Sequence, residues 1–328
     1  MTAQVTSLQR AAAAIEPAAA ESDSGFLQDL RRALAAPPHA ISPKNFYDAE
    51  GSRLFDRICE LPEYYPTRTE RGILSACAAE IAEETGVGGD LVEFGAGSCS
   101  KVRLLLDALQ PRRYIPIDIS TEHLEGAAAQ LANEHPGLLV LPLAADYTAT
   151  MRLPPPLAGA PRIGFFPGST IGNFTPAEAL QFLRGAARLL RGGGLLLGAD
   201  LVKDPAVLHA AYNDAQGVTA AFNLNLLARA NRELGTDFDL DRFWHGAFYN
   251  AALQRIEMHL VSRDRQRVQL AGETYTLEAG QALHTENSHK FSIEGLRRLA
   301  RQAGFEPGPA WTDPDQLFSV HWLRAPAE

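Results

Sequence analysis

The chain has 328 residues, 46% of them hydrophobic, which is room for two domains and a sizeable core. Its 30 Lys and Arg against 39 Asp and Glu leave a formal charge of −9, and with no basic run this excludes nucleic acid or an anionic membrane as the main partner. Cys59, Cys77 and Cys99, odd in number and without a CxxC pair, exclude a disulfide framework and a zinc-finger pattern, and no apolar run reaches the ~20 residues of a membrane span. A cytoplasmic enzyme is the expectation.

Along the chain, the alanine-rich start, broken by Glu16 and Pro17, reads as a disordered tail over residues 1–24. The stretch 41–70 is dense in aromatics and loop residues. From about residue 70 the pattern alternates: helix Arg71–Thr85, strand Asp90–Phe94, helix Lys101–Leu109, strand Tyr114–Ile119, helix Glu122–Glu134, strand Leu138–Ala144 and strand Ile163–Phe166. Thr175-Pro176-Ala177-Glu178 is a capping box that opens a helix to Arg191, stopped by Gly192–Gly194 and followed by strand Leu195–Leu201. Such βαβ alternation predicts a doubly wound, mostly parallel α/β sheet. The rhythm then breaks. An amphipathic helix over Leu208–Glu233 and a helix–loop segment precede strands Gln254–Ser262, Gln266–Leu270 and Glu273–Leu277. A last helix, Ile293–Ala303, and strands around Leu317–Leu323 return to the first pattern. The expected domains are therefore 25–69 with 203–290, an α+β unit, and 70–202 with 291–328, a Rossmann-like unit.

The densest motif is Leu91–Lys101, in which an apolar strand ends at Glu93 and leads into Gly95-x-Gly97-x-x-Ser100. Glycines there bring the main chain close to a ligand, and Asp118, about 20 residues further on, stands where an acid binds a ribose diol. Glu93, Asp118 and Asp146 end or follow three successive strands. Acids at that edge suit a ribose and an adenine amino group but oppose a pyrophosphate, which favours S-adenosylmethionine over a nicotinamide cofactor.

Three N-terminal motifs, Asn45–Asp48, Gly51–Asp56 and Leu61–Arg68, resemble the histidine-specific, S-adenosylmethionine-dependent methyltransferase family. So do Pro167–Phe174, Arg255–Leu260 and Thr285–Phe291, and the likeness runs from about residue 40 to the C-terminus. It implies a class I methyltransferase fold and, in its nearest form, the enzyme of ergothioneine biosynthesis that converts L-histidine stepwise to its Nα-trimethyl derivative, hercynine. It implies that Gly95, Lys101, Asp118 and Asp146 hold the cofactor. Tyr47, Asn173 and Gly168 would surround the substrate amine, with Phe55 close by, and Asn173 and Tyr212 would fix the carboxylate. Tyr64, Met258, Glu286 and Ser288 would line the imidazole end. Tyr47 and Asn173 are then the catalytic candidates, and L-histidine is the partner of a monomer.

Bulk patterning leaves other readings of some residues open. Met258 alternates with Ile256 and Leu260, as core packing also would, and Tyr47, Tyr64 and Phe55 would serve as ordinary interface aromatics. Asn173 is released from helix capping by Thr175. His245, His259, His284 and His289 match no metal-ligand spacing, so no metal is expected. A methyltransferase of tryptophan or of a histidine-derived thiol, a silent binding module and a nicotinamide dehydrogenase are the alternatives.

Overall fold

The computed structural model describes residues 24–327. Ser24 apart, the tail expected over 1–24 lies outside them. The chain opens with α1 (Ser24–Ala35), which the sequence pattern did not suggest, and a 3-10 turn, Pro43–Phe46. Helix α2 (Ala49–Glu60) starts where the Asp48 side chain accepts from the Gly51 amide at 2.7 Å. Helix α3 (Tyr65–Thr85) begins six residues before the expected Arg71. Then follow β1 (Asp90–Phe94), α4 (Arg103–Leu109), β2 (Arg113–Asp118) and α5 (Thr121–Glu134). The single strand expected over 138–144 is two short ones, β3 (Leu139–Val140) and β4 (Leu143–Ala144), because Pro142 between them has no N–H to give the ladder. After β5 (Arg162–Phe166) comes α6 (Pro176–Leu189), with both arms of the Thr175–Glu178 capping box formed, and then β6 (Gly194–Asp200).

The long helix expected over 208–233 is also two: α7 (Pro205–Tyr212) and α8 (Val218–Leu234). Asp214 breaks it by accepting from the Val218 and Thr219 amides, and Gly217 takes a φ of +70°. The helix–loop expected next is instead β7 (Phe243–Asn250), whose side chains are mostly half-buried and so left little apolar alternation to read. It leads to β8 (Arg255–Ser262), β9 (Gln266–Leu270), β10 (Glu273–Leu277) and β11 (Ala282–His289). The chain ends with α9 (Ile293–Gln302), β12 (Glu306–Thr312) and β13 (Phe318–Arg324). Among the described residues no helix is long and apolar enough to cross a membrane.

The chain divides into two compact units. One comprises Arg68–Leu201 and 291–327. Its sheet runs β12-β13-β6-β5-β1-β2-β3, with β4 also on β2; the strands are parallel except that β13 lies antiparallel to β6 and β12 to β13. Alternate residues of each strand feed opposite cores. Val92, Phe94 and Leu197 join Phe182 and Leu296 on one face, while Leu91, Phe165 and Leu196 join Leu74, Leu105 and Leu131 on the other. Strand order reverses at β1, between β2 and β5, so the carboxyl end of β1 is the switch point where doubly wound sheets bind ligands. At the opposite end, buried Asp90 receives a bidentate pair from Arg113 and two bonds on Oδ2 from Arg162, and the two guanidinium groups also hold the Pro155 and Pro154 carbonyls.

The second unit comprises 24–67 and Val202–Lys290. It holds an antiparallel sheet, β11-β8-β7, and the β9–β10 hairpin, with α8 packed on α2 and on β7. Ile256, Met258 and Leu260 of β8 point to the buried face. A bulge in β11 between His284 and Glu286 adds Thr285, which bonds to Asn223 and to the Met258 carbonyl. Beyond it Glu286 pairs with Met258 and Ser288 with Ile256. The extra residue thus turns two polar side chains of β11 toward the buried face, while His284 stays opposite His259 on the other.

Candidate functional site

In the first unit the turn after β1 is tied to β2, the Gly95 and Ala96 amides both donating to the Ile117 carbonyl. Gly95 and Gly97 have φ of +71° and +48°, a left-handed region that side chains resist. A Cβ on Gly95 would meet Tyr147 at 3.4 Å, whereas one on Gly97 would enter open space. That cradle fits the close approach of a nucleoside. Asp118 accepts from the Gly97 amide at 2.9 Å and from the Ser120 amide at 3.0 Å, so it shapes the glycine turn as well as standing beside it. Asp146, after β4, accepts from the amide and hydroxyl of Thr148.

Glu93 departs from the set of three ligand-facing acids. It is buried on the Leu91 face, where the Tyr114 hydroxyl donates to it, and burial pushes its carboxyl up to about 8. It is a neutral acid beneath the turn and not a partner for a sugar.

Lys101 does not stand alone either. Its ammonium donates to Glu70 at 2.5 Å, and both Glu70 oxygens lie 2.9 Å from the Gly168 amide. Glu70 is fully buried and was missing from the sequence candidates, since it lies two residues beyond the Leu61–Arg68 motif. This carboxylate joins α3, the turn after β5 and the turn leading into α4, which begins at Arg103 and not at Lys101 as the sequence suggested. In that last turn Gly168 and Ser169 both take positive φ, +78° and +57°, and the Ser169 hydroxyl accepts from the Asp200 amide. Two such residues in succession mark a backbone held in place for a purpose. Asn173 ends the short 3-10 turn Thr170–Asn173 that follows, and is half-buried.

The second unit gathers the other candidates. Tyr47 meets Phe55 edge-on at 5.8 Å, Phe55 meets Tyr64 at 6.4 Å, and Tyr64 meets Tyr212 at 6.3 Å. Phe222 of α8, not singled out from the sequence, packs against Tyr47 and Phe55. Burial, and next Tyr212, push the Tyr64 phenol well above its ordinary range, so it stays protonated. The Tyr212 hydroxyl donates to Ser288 Oγ at 2.7 Å, and the buried Lys290 ammonium donates to the same oxygen at 2.7 Å. Lys290 also sits 5.0 Å over the Tyr212 ring. Tyr212, expected at the carboxylate end, is therefore in one hydrogen-bonded group with Ser288, expected at the imidazole end. Lys290 was quoted in the motif yet given no role; its partner Tyr212 lies 78 residues away. Burial raises the Glu286 carboxyl to about 7, against the pull of Lys290. Met258, across the ladder from Glu286, is 1% exposed and packed in the core.

A doubly wound sheet with an open glycine turn and an acid ending the second strand is the frame of a nucleoside-cofactor site, and the family model makes the class S-adenosylmethionine-dependent methyltransferase. The model of the family described as "Histidine-specific methyltransferase, SAM-dependent" matches residues 26–325, and the chain belongs to that family. It is 45% identical over 300 residues to the "Histidine N-alpha-methyltransferase" of Mycolicibacterium smegmatis, covering 89% of this chain and 92% of the relative. A protein of the same name from Mycobacterium tuberculosis is 43% identical over 91% of this chain and 95% of its own length. The "Ergothioneine biosynthesis protein 1" of Neurospora crassa is 31% identical over 87% of this chain, which corresponds to 33% of that longer protein.

Proposed function

We propose that this protein transfers methyl groups from S-adenosylmethionine to the α-amine of L-histidine, in three steps to hercynine, and so serves ergothioneine biosynthesis as a cytoplasmic monomer. The Glu286–Ser288–Lys290 edge of β11 carries the reading of the substrate. A carboxyl that titrates near neutrality can accept from an imidazole N–H, while the Ser288 hydroxyl, which accepts from Tyr212 and Lys290, has its own hydrogen to give the other ring nitrogen. A phenyl or indole ring would leave at least one of the two unmatched at ~1–3 kcal/mol. Homology to the two proteins named for histidine Nα-methylation agrees with it.

The cofactor supplies an electrophilic methyl group on a sulfonium. Gly95, Gly97, Asp118, Asp146 and Lys101 would hold it, with Glu70 fixing the lysine. Methyl displacement needs an amine that is neutral, desolvated and aimed, so position contributes much of the rate. Asn173, in the first unit, and Tyr47, in the second, are polar groups that hold an amine without being nucleophiles strong enough to be methylated themselves. As methyls accumulate the nitrogen becomes a permanent cation, and the faces of Tyr47 and Phe55 stabilise it. Tyr64, held protonated, donates and does not act as the base. The test is incubation with S-adenosylmethionine and equimolar histidine and tryptophan, read by mass. Histidine heavier by three methyl groups with tryptophan unchanged supports the proposal; unchanged histidine overturns it.

A further inference from the structure

The outer face of the β11-β8-β7 sheet carries a cluster that methyl transfer does not use. The register sets His284 opposite His259, Asn287 opposite Glu257 and His289 opposite Arg255. On β7, Gly246 lies opposite His259 and Phe248 opposite Glu257. The His259 and His284 rings stack at 4.7 Å, and Phe248 stacks on the far side of His259 at 5.4 Å while remaining 45% exposed. Donor atoms of Glu257, His259 and His284 all fall within 4.8 Å of one another. Glu257 is divided: Oε1 accepts from Arg255 and Asn250, and Oε2 lies 3.8 Å from His259 Nε2.

Three buried polar atoms around this cluster have no hydrogen-bond partner among the described residues: His259 Nδ1, Asn287 Oδ1 and His289 Nε2. Each unmatched buried group of this kind costs ~1–3 kcal/mol, and three on one sheet face call for a common cause. His245, the remaining histidine of the sequence set, is different. Its two ring nitrogens are taken up by Asn223 and the Tyr212 carbonyl.

We propose that Glu257, His259 and His284 form a binding site for a divalent transition-metal ion of the zinc class on the outer face of this sheet, with Asn287 Oδ1 as the adjacent oxygen donor. Two imidazoles and one carboxylate are a borderline donor set that suits Zn²⁺, Cu²⁺, Ni²⁺ and Co²⁺ and does not suit Mg²⁺ or Ca²⁺. His284 Nε2 donates to the Glu286 carbonyl at 3.0 Å, as the far nitrogen of a metal-bound imidazole does, which leaves the Nδ1 lone pair for the ion. Arg255 holds Glu257 in place through one oxygen, as outer partners of metal ligands do, while its charge opposes the ion. Tetrahedral zinc needs donors about 3.3 Å apart, so side-chain rotation must close the cluster as the ion enters. Spacing along the sequence could not show this site; the β8–β11 register and the Thr285 bulge assemble it.

The test uses the full, untagged, chelator-treated chain with neither cofactor nor histidine present, so its outcome does not depend on the methylation reading. Zn²⁺ titrated by calorimetry, and Co²⁺ by its visible d–d spectrum, should saturate at one equivalent. His259→Ala and His284→Ala should each weaken binding by about 10–100-fold or more. Zn²⁺ should also protect His259 and His284, but not His135, from diethylpyrocarbonate in the unmutated chain, a readout that needs no folded variant. Absence of saturable binding, an unchanged isotherm in the folded His259→Ala/His284→Ala variant, or modification of both histidines in saturating Zn²⁺ would overturn the proposal.

Discussion

Glu286→Gln should make the protein more stable and a worse enzyme for histidine. Burial raises the carboxyl from 4.5 to about 7, about 2.5 pH units, and each unit is worth about 1.36 kcal/mol, so its ionisation costs about 3 kcal/mol of stability. The sign follows from proton binding. Between pH 4.5 and 7 the folded state holds a proton that the unfolded state releases, so this contribution is complete below 4.5 and lost as pH rises through about 7. Glutamine has no proton to lose. Thermal melts without ligand should therefore coincide at pH 4.5 and diverge by pH 8, the variant melting several degrees higher at about 2–4 °C per kcal/mol. Its kcat/KM for histidine should fall about 10–100-fold, the worth of a charge-assisted hydrogen bond. A variant that melts no higher than the parent at pH 8 would refute the reasoning, because Lys290 would then hold the anion at no net cost.

Further consequences follow from the same structure. Gly97→Ala, whose Cβ enters the open space over the turn, should weaken S-adenosylmethionine binding at least tenfold by calorimetry, with a stability loss of only about 1–2 kcal/mol from its positive φ. Asp90→Ala leaves Arg113 and Arg162 buried without their carboxylate; denaturant melts should show a loss of about 3–5 kcal/mol, with cofactor affinity unchanged in the folded fraction. Glu70→Gln should lower cofactor affinity, and in a double-mutant cycle with Lys101→Met the two losses should fall well short of adding, because both break one buried pair. Deleting Thr285 removes the bulge yet keeps Glu286 opposite Met258. Denaturant melts should then show a loss of about 1–3 kcal/mol from the Thr285 bonds to Asn223 and the Met258 carbonyl, while histidine turnover survives in the folded fraction.

The nucleotide-binding sheet was legible because its strands are short apolar runs closed by glycine, acid or proline, and β1 was readable to the residue. Strand β11 was not. Its sequence, Ala-Leu-His-Thr-Glu-Asn-Ser-His, spends its buried positions on polar side chains, and the bulge interrupts the alternation that would have revealed it. Strand β7 was not either, since most of its side chains are half-buried and the exposed Trp244 and Phe248 leave no clean alternation. Among site residues, the glycines and Asp118 announce themselves locally. Glu70 and Lys290 do not, because what makes each matter is a partner 98 or 78 residues away: the Gly168 amide for one and Tyr212 for the other. Resemblance supplied the positions of Tyr47, Asn173 and Glu286 that periodicity alone would have left as ordinary aromatics, turns and surface acids.

Both units are discontinuous in the chain, and this governs how the protein can be made. The segment 24–67 leaves the ribosome first, but the sheet it belongs with is completed only at β11, and β6 waits for β13 to pair Asp200 with Phe318. At about 5–20 residues per second, β13 follows β6 by about 6–24 s and β11 follows the segment 24–67 by about 11–43 s. During that interval β6, an entirely buried strand in the finished sheet, presents a bare apolar edge. Expression yield should then depend on synthesis rate and chaperone supply more than on final stability, and cutting the gene at residue 202 would leave two fragments that each lack half of a fold.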